Sequence, residues 1–239
     1  PDIIDINFGC PVKKVVSKGA GAGILKDIDL MVKLTSEMVK RTSIPITVKT
    51  RLGWDDSTIK IVEVAERLQD VGIKAIAIHG RTRAQMYKGN ADWNLISEVK
   101  NNKRMHIPVF GNGDVNSPEK ARIMRDDYGL DGAMIGRASI GNPWFFKQVK
   151  EYLNTGISVS SPSLEERIYT AKRHLEMAIN WKGERLGLLE TRRHYSNYFR
   201  GVSNFKPYRT RLVTGDTTKE VMNVFKELEE KQSTFEFMV

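Results

Sequence analysis

The sequence predicts an α/β chain in two parts: five consecutive units of an eight-stranded parallel β/α barrel, then a small all-α domain. Three observations predict it. Short apolar runs alternate with amphipathic stretches up to about residue 150. Each run ends in polar or glycine-rich sequence. Beyond a break at about residues 155–163 the alternation stops and only helical periodicity remains.

The strands are expected at residues 3–7, 44–49, 75–79, 107–110 and 132–135. These runs are too short for helices and apolar enough for a parallel sheet covered on both faces. Between them, residues 30–41 and 59–71 read as helices, with Ile61, Val64, Leu68 and Val71 at helical spacing. Strand, helix and strand in repetition require parallel strands joined by crossover helices. The strand ends carry Asn7-Phe8-Gly9-Cys10, Lys49-Thr50-Arg51, His79-Gly80-Arg81-Thr82-Arg83, Gly111-Asn112-Gly113-Asp114 and Gly136-Arg137. Reactive residue types at five successive strand ends match the active-site face of a barrel. An open doubly wound sheet concentrates its contacts at one switch point instead. Pro1 and Asp2 lead directly into a strand, so about three strands are expected to be missing upstream. A partial barrel over residues 1–155 with open edges is expected to fold poorly alone.

Asn154, Thr155 and Gly156, with Pro162 among the serines of 158–163, read as a linker. Helices are expected at 164–182, 184–200 and 218–231, forming an all-α domain over residues 164–239. Lys182, Arg185, Arg192, Arg193, Arg200, Lys206, Arg209 and Arg211 lie in this part, opposed between 182 and 211 by Glu184 and Glu190. Tyr195, Tyr198, Phe199 and Tyr208 are interleaved. Such a mixture offers RNA both phosphate contacts and stacking surfaces. It equally fits a solvated helical face over an aromatic core.

The net charge of +9 over 239 residues favours a polyanionic partner, nucleic acid first, though a merely basic protein has the same balance. The single cysteine allows no internal disulfide, which points to a reducing, cytoplasmic compartment. No apolar run reaches membrane-span length, and no Cys/His cluster has metal-ligand spacing.

The glycines of Gly111-Asn112-Gly113-Asp114 free the backbone to approach a ligand. Gly136-Arg137 offers an anion site after the last strand, and barrels often bind phosphate at their last two strands. Lys49 and Arg51 share one side of their strand. A lysine at a buried strand end requires a negative partner. His79 ends its strand in the same row. A phosphate-bearing cofactor whose ring takes up negative charge would use all of these. Reduced flavin fits, and other phosphorylated ligands remain open. The glycine-rich run 19–23 lacks the lysine and hydroxyl of a nucleotide loop and reads as close packing under the Cys10 loop.

Taken together, Asp5-Ile6-Asn7-Phe8-Gly9-Cys10-Pro11, Val48-Lys49-Thr50-Arg51-Leu52-Gly53-Trp54, His79-Gly80-Arg81-Thr82-Arg83, Gly111-Asn112-Gly113-Asp114 and Ile135-Gly136-Arg137 resemble, in order and spacing, the tRNA-dihydrouridine synthases, most of all the bacterial B-type branch. The resemblance covers nearly the whole chain. It implies a TIM barrel holding FMN, reduced by NADPH or NADH, that reduces a tRNA uridine to 5,6-dihydrouridine. Hydride reaches C6 and a cysteine, here Cys10, protonates C5. That proton donor should be neutral beforehand, and thiols are mostly protonated at neutral pH. The resemblance further implies that Asn7 holds the uracil edge and that Arg51 contacts the uracil or a neighbouring phosphate. Lys49 and His79 would contact the flavin, and Asn112, Gly113, Asp114, Gly136 and Arg137 would hold its ribityl-phosphate end. The partner implied is tRNA, with no membrane and no metal. Another FMN-dependent barrel oxidoreductase acting on a small molecule, or a non-catalytic RNA-binding protein, are the alternatives.

Overall fold

The structure, a computed structural model, describes residues 1–235. Its core is a parallel sheet in the order β1 (Ile4–Asn7), β2 (Ile46–Arg51), β3 (Ala75–His79), β4 (Val109–Asn112) and β5 (Gly132–Met134). The helices of this part are α1 (Lys13–Val16), α2 (Ile28–Lys40), α3 (Ile61–Asp70), α4 (Asn94–Asn101) and α5 (Pro118–Asp126). Asp27 caps α2 by accepting the Leu30 N–H, and Ser117 caps α5 ahead of Pro118 at the first helical position.

The pairing register sorts the strand residues onto two faces. One face carries Ile6, Val48, Ile76 and Val109 in a row, the last three fully buried. Ile61, Val64, Leu68, Ile96, Val99 and Met124 are buried with them. Each such side chain contributes about 1.5–3 kcal/mol by leaving water. A side chain at Gly111 would strike Met124 and Leu130, so strand and helix approach closely there. The other face carries Asp5, Asn7, Thr47, Lys49, Arg51, His79 and Asn112. The expected apolar cover on both faces is therefore corrected: β1 and β2 alternate, and only one of their faces is apolar.

The chain forms two compact units. The first is Pro1–Ala138 with Val149–Gly156, and the second is Ser139–Gln148 with Ile157–Val239. Ser139–Gln148 groups with the helices rather than with the sheet. Gly141, at φ 62°, lies against the His194 carbonyl, and Trp144 meets Tyr198 edge-on at 5.9 Å.

After α6 (Phe145–Thr155), the second unit holds α7 (Leu164–Lys182), α8 (Glu184–Tyr198), α9 (Lys206–Thr214) and α10 (Thr218–Glu230). Ser163 and Glu166 form a capping box at the start of α7. Ile168, Leu175, Leu188, Tyr195, Tyr198, Phe199, Leu212 and Phe225 build one apolar core. Of the interleaved aromatics, Tyr195, Tyr198 and Phe199 thus belong to the core, and the half-buried Tyr208 packs against it. Tyr195, Tyr198 and Phe199 are buried, and Phe199 stacks on Phe205 at 4.4 Å. They offer no stacking surface to RNA.

Candidate active site

The turn after β1 is built by Asn7. Its Oδ1 accepts the N–H groups of Gly9 at 3.0 Å and Cys10 at 3.1 Å. Pro11 is buried behind the turn, while Cys10 is half-buried. The Cys10 carbonyl accepts the Ala22 N–H at 3.0 Å. Gly21 has φ 55°, and a side chain there would come within 2.8 Å of that carbonyl and 3.0 Å of the Cys10 Cβ. The glycine-rich run therefore packs directly beneath the cysteine, as its composition suggested.

Register sets Asn7 beside Lys49, and Arg51 beside His79 and then Asn112. Arg51 is 2% exposed. Its Nε donates to the Gly9 carbonyl at 2.8 Å, and its Nη1 to the Thr82 and Met86 carbonyls at 3.0 and 2.9 Å. Through Nε and Nη1, Arg51 clamps the cysteine turn to the loop after β3. Burial pushes it below its ordinary pKa, and Cys10 lies within its electrostatic range.

Burial and then Arg51 push Lys49 below the usual lysine value, with Asp5 opposing. Its ammonium has no hydrogen-bond or ion-pair partner among the described residues. His79 is 4% exposed, and burial, then Arg51, Lys49 and Arg81, push it down to about 3. Arg81 Nη1 approaches His79 Nε2 at 3.3 Å. A guanidinium only donates, so Nε2 accepts, and the ring is neutral with its proton on Nδ1.

Arg81, 2% exposed, is not among the expected site residues. Its Nη2 donates to Asp114 Oδ2 at 2.6 Å. Asp114 also accepts the Ala91 N–H at 2.8 Å and Arg137 Nη2 at 2.9 Å. Its carboxylate is thus engaged by three donors. Asp114 links Arg81 and Arg137 at the end of β4 and orients both guanidiniums. Gly113 and Asp114 have consecutive positive φ values of 114° and 56°, a turn that only glycine or a short polar residue adopts readily. Asn112 Nδ2 donates to the Met134 carbonyl at 2.8 Å and ties β4 to β5. At Gly136 a side chain would meet nothing within 4 Å, which leaves open space next to Arg137.

Tyr87 is a second addition from the structure. It lies on the loop after β3, with the Arg137 and Arg51 guanidiniums 5.0 and 5.8 Å from its ring centre and His79 at 6.1 Å. The site therefore gathers a thiol, an unpartnered lysine, a neutral histidine and three arginines, against the carboxylates of Asp114 and Asp5. Such a pocket favours an anionic ligand. No group of His, Cys, Asp and Glu suited to a metal occurs among the described residues.

The chain matches the dihydrouridine synthase (Dus) family over residues 1–235. It belongs to the dihydrouridine synthase family. Among the relatives of this Dus chain is tRNA-dihydrouridine synthase B of Pseudomonas putida, 38% identical over 235 residues, which are 98% of this chain and 69% of that protein. A probable tRNA-dihydrouridine synthase of Rickettsia conorii is 40% identical over 207 residues, 87% of this chain and 62% of that protein. The Dus chain thus spans about three-fifths to two-thirds of the length of the curated relatives it matches. The solved structure of a nitroalkane oxidase from Streptomyces ansochromogenes is similar at 15% identity and a TM-score of 0.32, covering 56% of this chain and 33% of that one, too weak a likeness to carry an argument.

Proposed function

We propose that this chain carries the catalytic face of a flavin-dependent tRNA-dihydrouridine synthase, which saturates the C5=C6 bond of a tRNA uridine. The observation that carries the reading is Lys49, a half-buried cation without a partner, set behind the thiol-bearing turn of a Dus-family chain. A cation so placed calls for an anionic ring or phosphate. The residues present fit FMN. Lys49 would face the ring, while Arg137, the Gly113 backbone and the open space at Gly136 would hold the phosphate end. When bound, FMN supplies the hydride, taken from NADPH or NADH.

The chain's own residues supply the rest. Cys10 gives its proton to C5, and the neighbouring Arg51 charge stabilises the thiolate left behind. Asn7 uses Oδ1 to hold the turn, which leaves Nδ2 to donate to a uracil carbonyl. Neutral His79 adds no charge to a site already cationic. The sheet fits part of a (β/α)8 barrel. Its polar face gathers the site, and Leu30, Leu34 and Met38 form an exposed stripe on α2 suited to a further helix layer. Residues 164–239 would grip the tRNA through cations that carry no ion pair among the described residues, such as Arg200, Lys206 and Arg209. The basic charge and lone cysteine suit a cytoplasmic RNA enzyme.

The test uses the full-length protein that contains these residues. Anaerobically, NADPH should bleach the visible absorbance of bound flavin. Dihydrouridine-free tRNA should then restore it much faster than fully modified tRNA. Equal rates with both tRNAs would overturn the reading in favour of a small-molecule oxidant.

A further inference from the structure

With Tyr195, Tyr198 and Phe199 in the core, the exposed aromatic surface of the helical unit lies elsewhere. Trp181, at the end of α7, is 81% exposed. A tryptophan has large apolar area and is seldom left in water without a partner to cover it. The Lys182 ammonium lies 4.7 Å from its ring centre, which leaves most of the indole uncovered. Trp181 stands just before Gly183, whose φ of 81° turns the chain from α7 into α8. A side chain at Gly187 would come within 2.7 Å of the Ile179 backbone nitrogen, so the two helices pack tightly and hold the hairpin tip.

Beside this tip, Glu184, Arg185, Leu188, Leu189, Arg192 and Asp216 line a cleft of about 400 Å³. That is within the range of small-ligand pockets. Its acids are already engaged. Glu184 accepts the Thr218 N–H at 2.9 Å, and Asp216 accepts from Arg192 at 3.1 Å. Lys182 at the tip is paired with Glu190. Arg185 has no hydrogen-bond or ion-pair partner among the described residues, and the buried Arg192 Nε lacks a partner as well. The two arginines and two acids of the cleft balance in charge, and Arg185 is the guanidinium that is left unpaired there, four residues on from the exposed indole.

We propose that the α7–α8 hairpin tip and its cleft bind an unpaired nucleotide of the RNA substrate, its base stacked on Trp181 and its phosphate on Arg185. The inference rests on the tRNA reading above and names a contact within it. The pairing of an uncovered indole with an unpaired guanidinium selects the occupant: a nucleotide brings a base face to the one and a phosphate to the other, whereas an apolar protein surface would cover the tryptophan and leave Arg185 without a partner. A paired base offers no free face, so this contact would select single-stranded loops.

Full-length wild type, Trp181→Ala, Trp181→Tyr, Trp181→Leu and Arg185→Ala are compared for tRNA affinity at several salt concentrations, for KM and kcat, and by sedimentation. Trp181→Ala should weaken binding about ten-fold and raise KM alike, with kcat unchanged. Tyrosine should restore most of the affinity and leucine none. Arg185→Ala should lower the salt slope by about one, while Trp181→Ala leaves it unchanged. Wild-type affinity in Trp181→Ala, or rescue by leucine equal to that by tyrosine, would overturn the stacking contact alone. Self-association that disappears in Trp181→Ala would assign the patch to a second copy instead. Wild type that neither binds nor modifies tRNA would overturn the RNA reading together with this one.

Discussion

Arginine is used in two ways in this molecule. At the strand ends, Arg51 and Arg81 are each 2% exposed and donate mainly to backbone carbonyls and to Asp114. In the helical unit, Arg211 lies at the surface and forms a two-pronged bridge to Glu227 at 2.6 and 2.7 Å. Buried guanidiniums fix the loops that carry Cys10 and Tyr87, because each lost bond would leave a carbonyl dry and unpaired. Surface pairs stay in water, where salt and side-chain entropy cancel most of their attraction. The difference separates a preorganised chemical site from an adaptable binding surface.

The largest expected effect tests the buried clamp. Arg51→Met should cost about 3–5 kcal/mol in denaturant unfolding, because three carbonyls lose their donor in the interior. A loss within the error of the measurement would place Arg51 in water and remove the distinction between the regions. Gly21→Ala should cost about 1–3 kcal/mol, since alanine tolerates φ 55° poorly and its Cβ would press on Cys10. Alkylation of Cys10 by a small thiol reagent should change rate in the same variant. An unchanged rate would uncouple the glycine run from the cysteine turn.

His79 sharpens the comparison through pH. Its folded pKa of about 3 lies below the ordinary 6.5, so the folded state binds fewer protons between those values. Its contribution is fully present above about pH 6.5 and is lost as pH falls toward 3. Burial also holds His174 and His194 below the ordinary value, so only the difference between wild type and His79→Gln is diagnostic. That difference in the slope of stability against pH should be about one proton. Parallel slopes would mean that His79 is not held neutral by its surroundings. The smallest effect belongs to the surface: Glu227→Gln should leave the denaturation midpoint unchanged.

The strand order and the row of strand-end residues were legible because parallel strands announce themselves as short apolar runs with polar ends. The expected 75–79 and the observed Ala75–His79 coincide. The helix Leu164–Lys182 was equally legible, with Ser163 and Glu166 marking its start. The clamping role of Arg51 was not, because it depends on carbonyls of residues 9, 82 and 86, which only the folded chain brings together. Tyr87 carries no local signal, since its neighbours at the site come from β2, from the end of β3 and from the turn after β5. The aromatic residues of α8 were ambiguous from sequence, and burial assigned them to the core. Residues 236–239, within the expected helical domain, lie outside the described residues.

The most direct measurement is dihydrouridine itself. Full-length wild type and Cys10→Ala are incubated with NADPH and dihydrouridine-free tRNA, and the product is quantified by mass spectrometry. Wild type should form dihydrouridine, and Cys10→Ala should form it about 10²-fold or more slowly, the usual scale of a lost general acid. Equal rates would remove Cys10 from the proton transfer, and no product from flavin-loaded wild type would contradict the account as a whole.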